Sequence, residues 1–361
     1  MTNSFQLARR FTLAAVLLMS TAALAACNDS VTAPEVAAPA SLVTSIVENV
    51  YLPTFDSLNA RAARLSAALD ALAASPTPGN LSAAQSAWRA TREMYERNEG
   101  FAFGPLITSE YDPNMDTWPI DRAGIDALVL GSASISKEEI DLEDGTVKGF
   151  HGIEYILFGD HGATTAASLT AGQRAYLRAA GQSLAAVAFA LDEAWSPSVG
   201  NFAGQLTSAG DGASVYAALG AALQEIVSGL IEPTDEVPNS KIALPLSSGD
   251  TYFEESAFSD NTLDDLENDL HGAYAVYTGS FGGDANGISA LVAAQSPSLD
   301  QQVRAQFAAA FAALDAVGPS FDDALHHDPD ALRAAQQTIL TLNHTLVNQV
   351  APIAGAVGDD D

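Results

Sequence analysis

The sequence predicts an all-α protein with two helical domains, each resembling a four-helix bundle. Apolar residues recur every three or four positions over most of the chain, as at Leu177, Leu184 and Leu191, and this is the period of a helix face packed on a core. Valine and isoleucine rarely alternate with polar residues, so the pattern typical of a β-sheet is missing from the sequence. A faint repeat between the two halves indicates that the second bundle is a duplicate of the first.

The expected helices follow one another along the chain. The first begins near Val43, resumes after Pro53 and ends before the Pro-Thr-Pro-Gly run at 76–79. Further helices are expected over 81–98, 121–130, around His151, and over 170–195, 214–231, 262–277, 299–317 and 329–350. Two prolines predict a loop over 232–238, because proline lacks the N–H that a helix interior needs.

The repeat is a His-Gly pair followed by a later glycine. It comprises His151, Gly152 and Gly159 in the first half and His271, Gly272 and Gly279 in the second. Glu154 has no acidic counterpart, since Tyr274 occupies the matching position. With a helix end expected at Ser196-Pro197, the repeat predicts a first domain over 41–197 and a second over 198–361.

The N-terminus is typical of an export signal over residues 1–26, followed by a tether over 27–40. Arg9 and Arg10 precede a short apolar run that is too short for a permanent membrane span. The run ends in Leu-Ala-Ala-Cys27, which resembles the bacterial lipobox and implies a lipid on Cys27. The alternative is an ordinary cleaved signal with an unrelated cysteine. Cys27 is the only cysteine, so disulfides and thiolate metal sites are excluded from the rest of the chain.

The charge is strongly negative. The chain carries 15 Lys and Arg against 45 Asp and Glu, a formal charge of −30 at pH 7. This balance excludes nucleic acid as a partner, because phosphates need a cationic surface, and it raises the local concentration of cations. Acid pairs such as Asp264-Asp265 are expected to be solvated helix faces or caps.

The most informative segment is Gly149-Phe-His-Gly-Ile-Glu-Tyr155. Residues three apart share one face of a helix, so His151 and Glu154 should lie together. The surrounding residues are apolar nearly all round, which predicts burial. A buried carboxylate needs a hydrogen-bond partner, a counter-charge or a metal, so His151 and Glu154 are candidate metal ligands. The alternative is a hydrogen-bonded core pair without a ligand.

These residues resemble the imelysin family, whose hallmark is a Gly-x-His-x-x-Glu motif, here Gly149, His151 and Glu154. The resemblance covers nearly all of the mature chain. It extends upstream to Trp88, Arg92, Glu99, Phe101, Phe103, Gly104 and Pro105, to the run 116–119 and to Asp121, and downstream to Glu255-Ser256 and the block 259–264.

The resemblance implies two all-helical domains with a site near their interface. It also implies exported, often lipid-anchored proteins on the periplasmic side of the bacterial envelope, several of them associated with iron uptake. Such a protein would bind a metal or a small-molecule ligand, and it would be attached to the membrane through the lipid on Cys27. Other envelope transport proteins would be its protein partners. The family also carries the label of a metallopeptidase, and this label is doubtful for its members in general.

Other segments must complete a site. Trp88, Arg92, Tyr95 and Glu99 are spaced as one helical stripe. This spacing makes Glu99 a third candidate ligand and Arg92 a candidate support for a carboxylate or anion. The alternative is an ion pair of Arg92 with Glu99 or with another acid, which only fixes packing. The remaining supporting candidates are Asp116, Asp121, Ser256 and Asn261. The alternative for Asp121 is a cap on the helix that follows it. Ser256 and Asn261 are weaker candidates, because serine and asparagine before a helix are usually caps.

The sequence favours a protein that binds a metal ion, iron first, or a metal-bearing ligand. Histidine and carboxylates suit iron, manganese and zinc. A zinc-dependent peptidase-like hydrolase is the alternative, although the chain lacks His-Glu-x-x-His and no second histidine is obviously placed. A structural or adhesive lipoprotein, in which His151 and Glu154 form only a buried hydrogen bond, is the third possibility.

Overall fold

The structure, a computed structural model, describes residues 39–131 and 134–357. All of its regular secondary structure is helical and these residues contain no strand, which confirms the predicted all-α class. They belong to one compact unit. The predicted export signal, Cys27 and most of the tether lie outside the described residues, and the last two tether residues already begin the first helix. No described helix combines the length and hydrophobicity that crossing a bilayer requires.

Eighteen α-helices have the following bounds in the described ranges: α1 Pro39–Ile46, α2 Leu52–Ala74, α3 Pro78–Glu96, α4 Pro105–Thr108, α5 Tyr111–Met115, α6 Arg122–Gly131, α7 Lys137–Asp141, α8 Gly149–Phe158, α9 Ala171–Trp195, α10 Phe202–Thr207, α11 Leu219–Glu236, α12 Ala243–Ser248, α13 Thr262–Thr278, α14 Ile288–Gln295, α15 Pro297–Asp315, α16 Phe321–His327, α17 Pro329–Thr345 and α18 Ala351–Ala356. Single 3₁₀ turns are Glu99–Phe101, Gly145–Val147, Asp160–Gly162 and Thr251–Phe253.

Three wide π turns each join two consecutive α-helices, α1 to α2, α11 to α12 and α17 to α18. The π turns are Val47–Tyr51, Val237–Ile242 and Leu346–Val350, and a proline lies within or shortly after each. Proline has no N–H to donate within a helix, and its ring clashes with the carbonyl one turn earlier. A wider π turn leaves room for that carbonyl. The loop predicted over 232–238 is therefore wrong, because this segment continues α11 into a π turn with Pro233 inside the helix.

The core runs through the whole described unit. In the first half, α2 packs along α9, and Phe55 stacks on Trp195 with ring centroids 4.7 Å apart. Trp195 also contacts Phe202 beyond the predicted domain boundary, at 4.9 Å between centroids. The turn Glu99–Phe101 packs against both α11 and α13. The division of the chain near residue 197 stays a prediction, but side chains from both sides of it meet at the site described next.

Candidate metal centre

Helix α8 places the motif residues in the protein interior. Gly149 begins it at a φ of +71°, and a Cβ there would lie 2.3 Å from the Met115 carbonyl oxygen, so only glycine fits this close approach. A Cβ on Gly152 would meet the Tyr176 hydroxyl at 2.3 Å. His151 lies between these two glycines and is 1% exposed, and Glu154 lies just beyond them and is 0% exposed. Their predicted burial on one helix face is confirmed.

Both carboxylate oxygens of Glu154 have partners. Its Oε1 accepts hydrogen bonds from the Phe258 backbone N–H at 3.1 Å and from the Ser259 N–H and hydroxyl at 2.9 and 2.7 Å. Its Oε2 lies 3.1 Å from His151 Nδ1, and because an ionised carboxylate only accepts, the imidazole donates this bond. Glu154 therefore joins α8 to the segment before α13 and orients the His151 ring.

The other ring nitrogen of His151 faces Asp116. His151 Nε2 lies 3.0 Å from Asp116 Oδ1, and the Trp118 ring covers the imidazole with centroids 4.7 Å apart. Burial disfavours the imidazolium, but the Asp116 carboxylate outweighs it and raises the pKa of His151 to about 9. Burial also disfavours the Asp116 carboxylate, yet Arg92 and His151 hold the pKa of Asp116 well below its ordinary value.

Arg92 lies at the centre of a buried ion network. Its guanidinium is fully buried and pairs with Asp116, with Glu255 at 2.8 Å and with Glu96 at 2.6 Å. Asp265 Oδ2 lies 3.6 Å from Arg92 Nε. The predicted Arg92–acid pairing is therefore present, with these partners rather than Glu99. The planar guanidinium holds two carboxylates of the site in fixed positions.

Lys241 provides the second fixed cation. Its ammonium lies 3.2 Å from Glu96, 2.9 Å from Glu255 and 2.9 Å from Asp269. Burial disfavours the ammonium, but the Asp269 and Glu255 carboxylates raise the pKa of Lys241 well above its ordinary value. The same burial raises the pKa of Asp269, against the opposing effect of Lys241. Lys241 thus occupies the centre of three carboxylates as a metal ion would.

Asp116, His151 and Glu255 form a candidate ligand group. One ligand atom of each lies within 4.8 Å of the others. Glu255 Oε2 is buried and has no hydrogen-bond partner among the described residues. Metal-binding histidines commonly donate their other N–H to a carboxylate, as His151 does to Glu154. Hard oxygen donors with one imidazole suit iron, manganese or zinc, so these residues fit a metal ion.

A cavity of about 470 Å³ opens beside this group. Its carboxylates are Glu99, Asp112, Asp116, Glu232, Glu236 and Glu255, and Lys241, Trp118 and Phe253 also line it. Glu99, Glu232 and Glu236 bring carboxylate oxygens within 4.8 Å of one another. Burial, with a contribution from neighbouring acids, raises the pKa of Glu99 despite the opposing effect of Lys241. Glu99 therefore shares the cavity with Asp116 but belongs to a different carboxylate group.

The remaining predicted residues have separate positions. Asp121 caps α6 by accepting the Gly124 N–H at 2.9 Å, and it does not belong to any of the ligand groups found among the described residues. Ser256 donates its hydroxyl to Asp265. Asn261 precedes α13 without a side-chain cap and instead donates to Asp265 Oδ1 at 2.7 Å and accepts from Arg89 at 2.6 Å. Ser256 and Asn261 thus position Asp265 behind Arg92.

Sequence reasoning missed several carboxylates of the site. Asp265 and Asp269 are 0% exposed, so the expectation of a solvated Asp264-Asp265 pair holds for Asp264 alone, whose side chain is exposed. The sequence does contain a signal for these two acids. Asp265 and Asp269 lie four positions apart on one face of α13, each next to a buried leucine, Leu266 or Leu270. Lys241 gave no such signal, since it lies in a segment expected to follow a loop.

Comparisons with known proteins agree with this architecture. The family model described as imelysin matches residues 51–349. A curated relative, "Iron-regulated protein A" from Synechococcus elongatus, is 35% identical over 317 residues, which cover 86% of this chain and 85% of the relative.

Two solved structures share the fold. One, described as a precursor of iron-regulated protein A from Parabacteroides distasonis, has a TM-score of 0.80 at 22% identity and covers 91% of this chain and 97% of its own. The other, an imelysin-like protein from Psychrobacter arcticum, has a TM-score of 0.71 at 16% identity and covers 89% and 96%. The match over most of the sequence and the 35% identical relative show that the chain belongs to the imelysin family.

Proposed function

We propose that this protein binds a metal ion through Asp116, His151 and Glu255. The observation that carries the proposal is the convergence of three ligand atoms within 4.8 Å, one of them from a histidine whose other nitrogen is held by Glu154. Arg92 would hold both carboxylates in place. A bound ion would supply positive charge where carboxylates outnumber the fixed cations.

Iron is the first candidate. A 35% identical relative carries the name iron-regulated protein A, and an imidazole with carboxylates suits ferrous iron. The same donors suit zinc and manganese, so comparison of these three ions belongs to the test.

The observed contacts favour binding over hydrolysis. A zinc peptidase needs a free carboxylate as general base beside the metal-bound water. Glu154 does not meet this need, because its oxygens accept four hydrogen bonds. A purely structural His–Glu pair would account for these bonds, but it would leave the buried, unpartnered Glu255 Oε2 unexplained.

Calorimetric titration of the purified, chelator-free protein with Fe²⁺, Mn²⁺ and Zn²⁺ tests the proposal. We expect His151→Ala to weaken binding at least about tenfold, whereas the exposed pair His326→Ala and His327→Ala leaves it unchanged. Because the proton on His151 must leave, affinity should fall as the pH drops below about 9. Absence of binding, or equal loss in both variants, would refute metal binding at this group.

We also propose that the protein is anchored in the bacterial envelope, facing the periplasm, through a lipid on Cys27. The lipobox-like run before the only cysteine supports this. Cys27→Ser should release the protein from membranes or leave an unprocessed precursor on fractionation of the producing cells. A variant that is processed and fractionates as the wild type does would contradict the anchor.

A further inference from the structure

The charge of the cavity determines which form of a metal it can accept. Six carboxylates line it, from Glu99, Asp112, Asp116, Glu232, Glu236 and Glu255, against a single lysine. Cavity walls of one sign concentrate ions of the opposite sign and repel ions of the same sign. The wall therefore favours a cation over an anion before any specific contact forms.

The fixed cations near the cavity are already paired. The Lys241 ammonium, a compact group with three donors, lies within 3.2 Å of carboxylates from Glu96, Glu255 and Asp269. Arg92 is fully buried and pairs with Asp116, Glu96 and Glu255. Neither side chain is free to receive the carboxylates of a chelating ligand.

An unpartnered acceptor gives an independent indication of the ligand. Glu255 is 6% exposed and lines the cavity, yet its Oε2 has no hydrogen-bond partner within the described ranges. A buried acceptor without a donor is costly. A cation would satisfy it, whereas an anion would add a further acceptor beside it.

We propose that the cavity admits the metal as a free, hydrated cation and excludes metal carried in an anionic chelate. The inference rests on the proposed metal function and specifies its ligand. Glu99, Glu232 and Glu236, whose oxygens lie within 4.8 Å of one another, form an outer acidic wall. Asp116 and Glu255 line the same cavity, and they would hold the ion together with His151, whose Nε2 lies 3.0 Å from Asp116.

Removal of charge from the outer wall should slow metal capture. In Glu232→Gln/Glu236→Gln at pH 8, above the raised pKa of Glu232, we expect the association rate for Mn²⁺ to fall about tenfold at low salt, with a smaller loss at high salt because the ions screen the wall. The matched control is Glu138→Gln/Asp330→Asn, which neutralises two exposed acids elsewhere. Stopped-flow mixing measures both rates, and circular dichroism checks that each variant is folded.

The decisive comparison is between Mn²⁺ and ferric iron in excess radiolabelled citrate. We expect the purified protein to bind Mn²⁺ and to retain no labelled citrate. Retention of citrate together with iron at the site, lost in His151→Ala, would overturn the inference and leave metal binding intact. Binding of neither form would overturn the proposed function and this inference with it. A rate of Mn²⁺ capture independent of salt in the wild type would also overturn it, even if the variants fail to fold.

Discussion

At the scale of single residues, the acid of the family motif has an unexpected position. Glu154 is absent from the three-residue ligand groups found among the described residues. Its carboxylate instead accepts from His151 and from the backbone of Phe258 and Ser259. One side chain thus fixes the imidazole and the segment that carries Glu255. We interpret Glu154 as the residue that positions the ligand group.

Glu154→Gln should destabilise the protein by about 3 kcal/mol, because the amide leaves buried donors without a charged acceptor. Metal affinity should fall about 10- to 100-fold, since the orientation of His151 would be lost. Urea denaturation and calorimetry measure the two effects. Glu48→Gln, at an exposed helical position, should change stability by less than about 0.5 kcal/mol. A Glu154→Gln variant as stable as this control would show that the contacts around Glu154 matter little.

At the scale of elements, the site depends on a close contact between the Glu99–Phe101 turn and α13. A Cβ on Gly272 would lie 2.2 Å from the Arg97 carbonyl oxygen, and one on Gly100 would lie 2.5 Å from the Ala273 nitrogen. Backbone atoms cannot move aside as a flexible side chain can. This contact brings the end of α3, with Arg92, against the helix that carries Asp265 and Asp269.

Gly272→Ala should therefore lower the free energy of unfolding by about 2 kcal/mol or more, through overpacking against backbone. The control is Gly79→Ala near the start of α3, where nothing lies within 4 Å of the added Cβ. Alanine there should stabilise the protein by about 0.5–1 kcal/mol, because it restricts the unfolded chain. Thermal or urea unfolding of both variants measures the difference. A stabilising Gly272→Ala would contradict the close contact.

At the scale of the whole molecule, part of the excess of acidic residues lines a cavity and the rest is distributed elsewhere in the chain. The formal charge is −30, and six carboxylates face one lysine around the cavity. Partial burial and the neighbouring Glu236 raise the pKa of Glu232 to about 7. Folding thus favours the protonated form of this group, in contrast to an ordinary surface carboxylate.

The pH dependence of stability follows from this shift. A carboxyl group with a raised folded-state pKa contributes stability below its unfolded value of about 4.5, and this contribution is lost as the pH rises through about 7. Glu232→Gln imitates the protonated form. We expect equal urea midpoints for wild type and variant at pH 4 and a more stable variant at pH 8. A difference independent of pH would show that the charge of Glu232 is not the cause.

The sequence alone was sufficient for the class of fold and for the buried motif. Helical periodicity is a local property, and it predicted the bounds of α9 and α13 to within about two residues. It also predicted that His151 and Glu154 share a buried face, because their separation is one helical turn. The prolines misled the prediction over 232–238, since a π turn can accommodate what an ideal helix cannot.

The tertiary structure decided which residues meet. Asp116, His151 and Glu255 come from three separate segments, and only the packing of those segments brings their ligand atoms within 4.8 Å. Lys241 lies in a segment expected to follow a loop, yet its ammonium pairs with Asp269 inside the buried network. Whether an acid is solvated, paired with a cation or left available for a metal depends on neighbours distant along the chain. Periodicity does not encode these long-range contacts, and they determine the charge of the cavity.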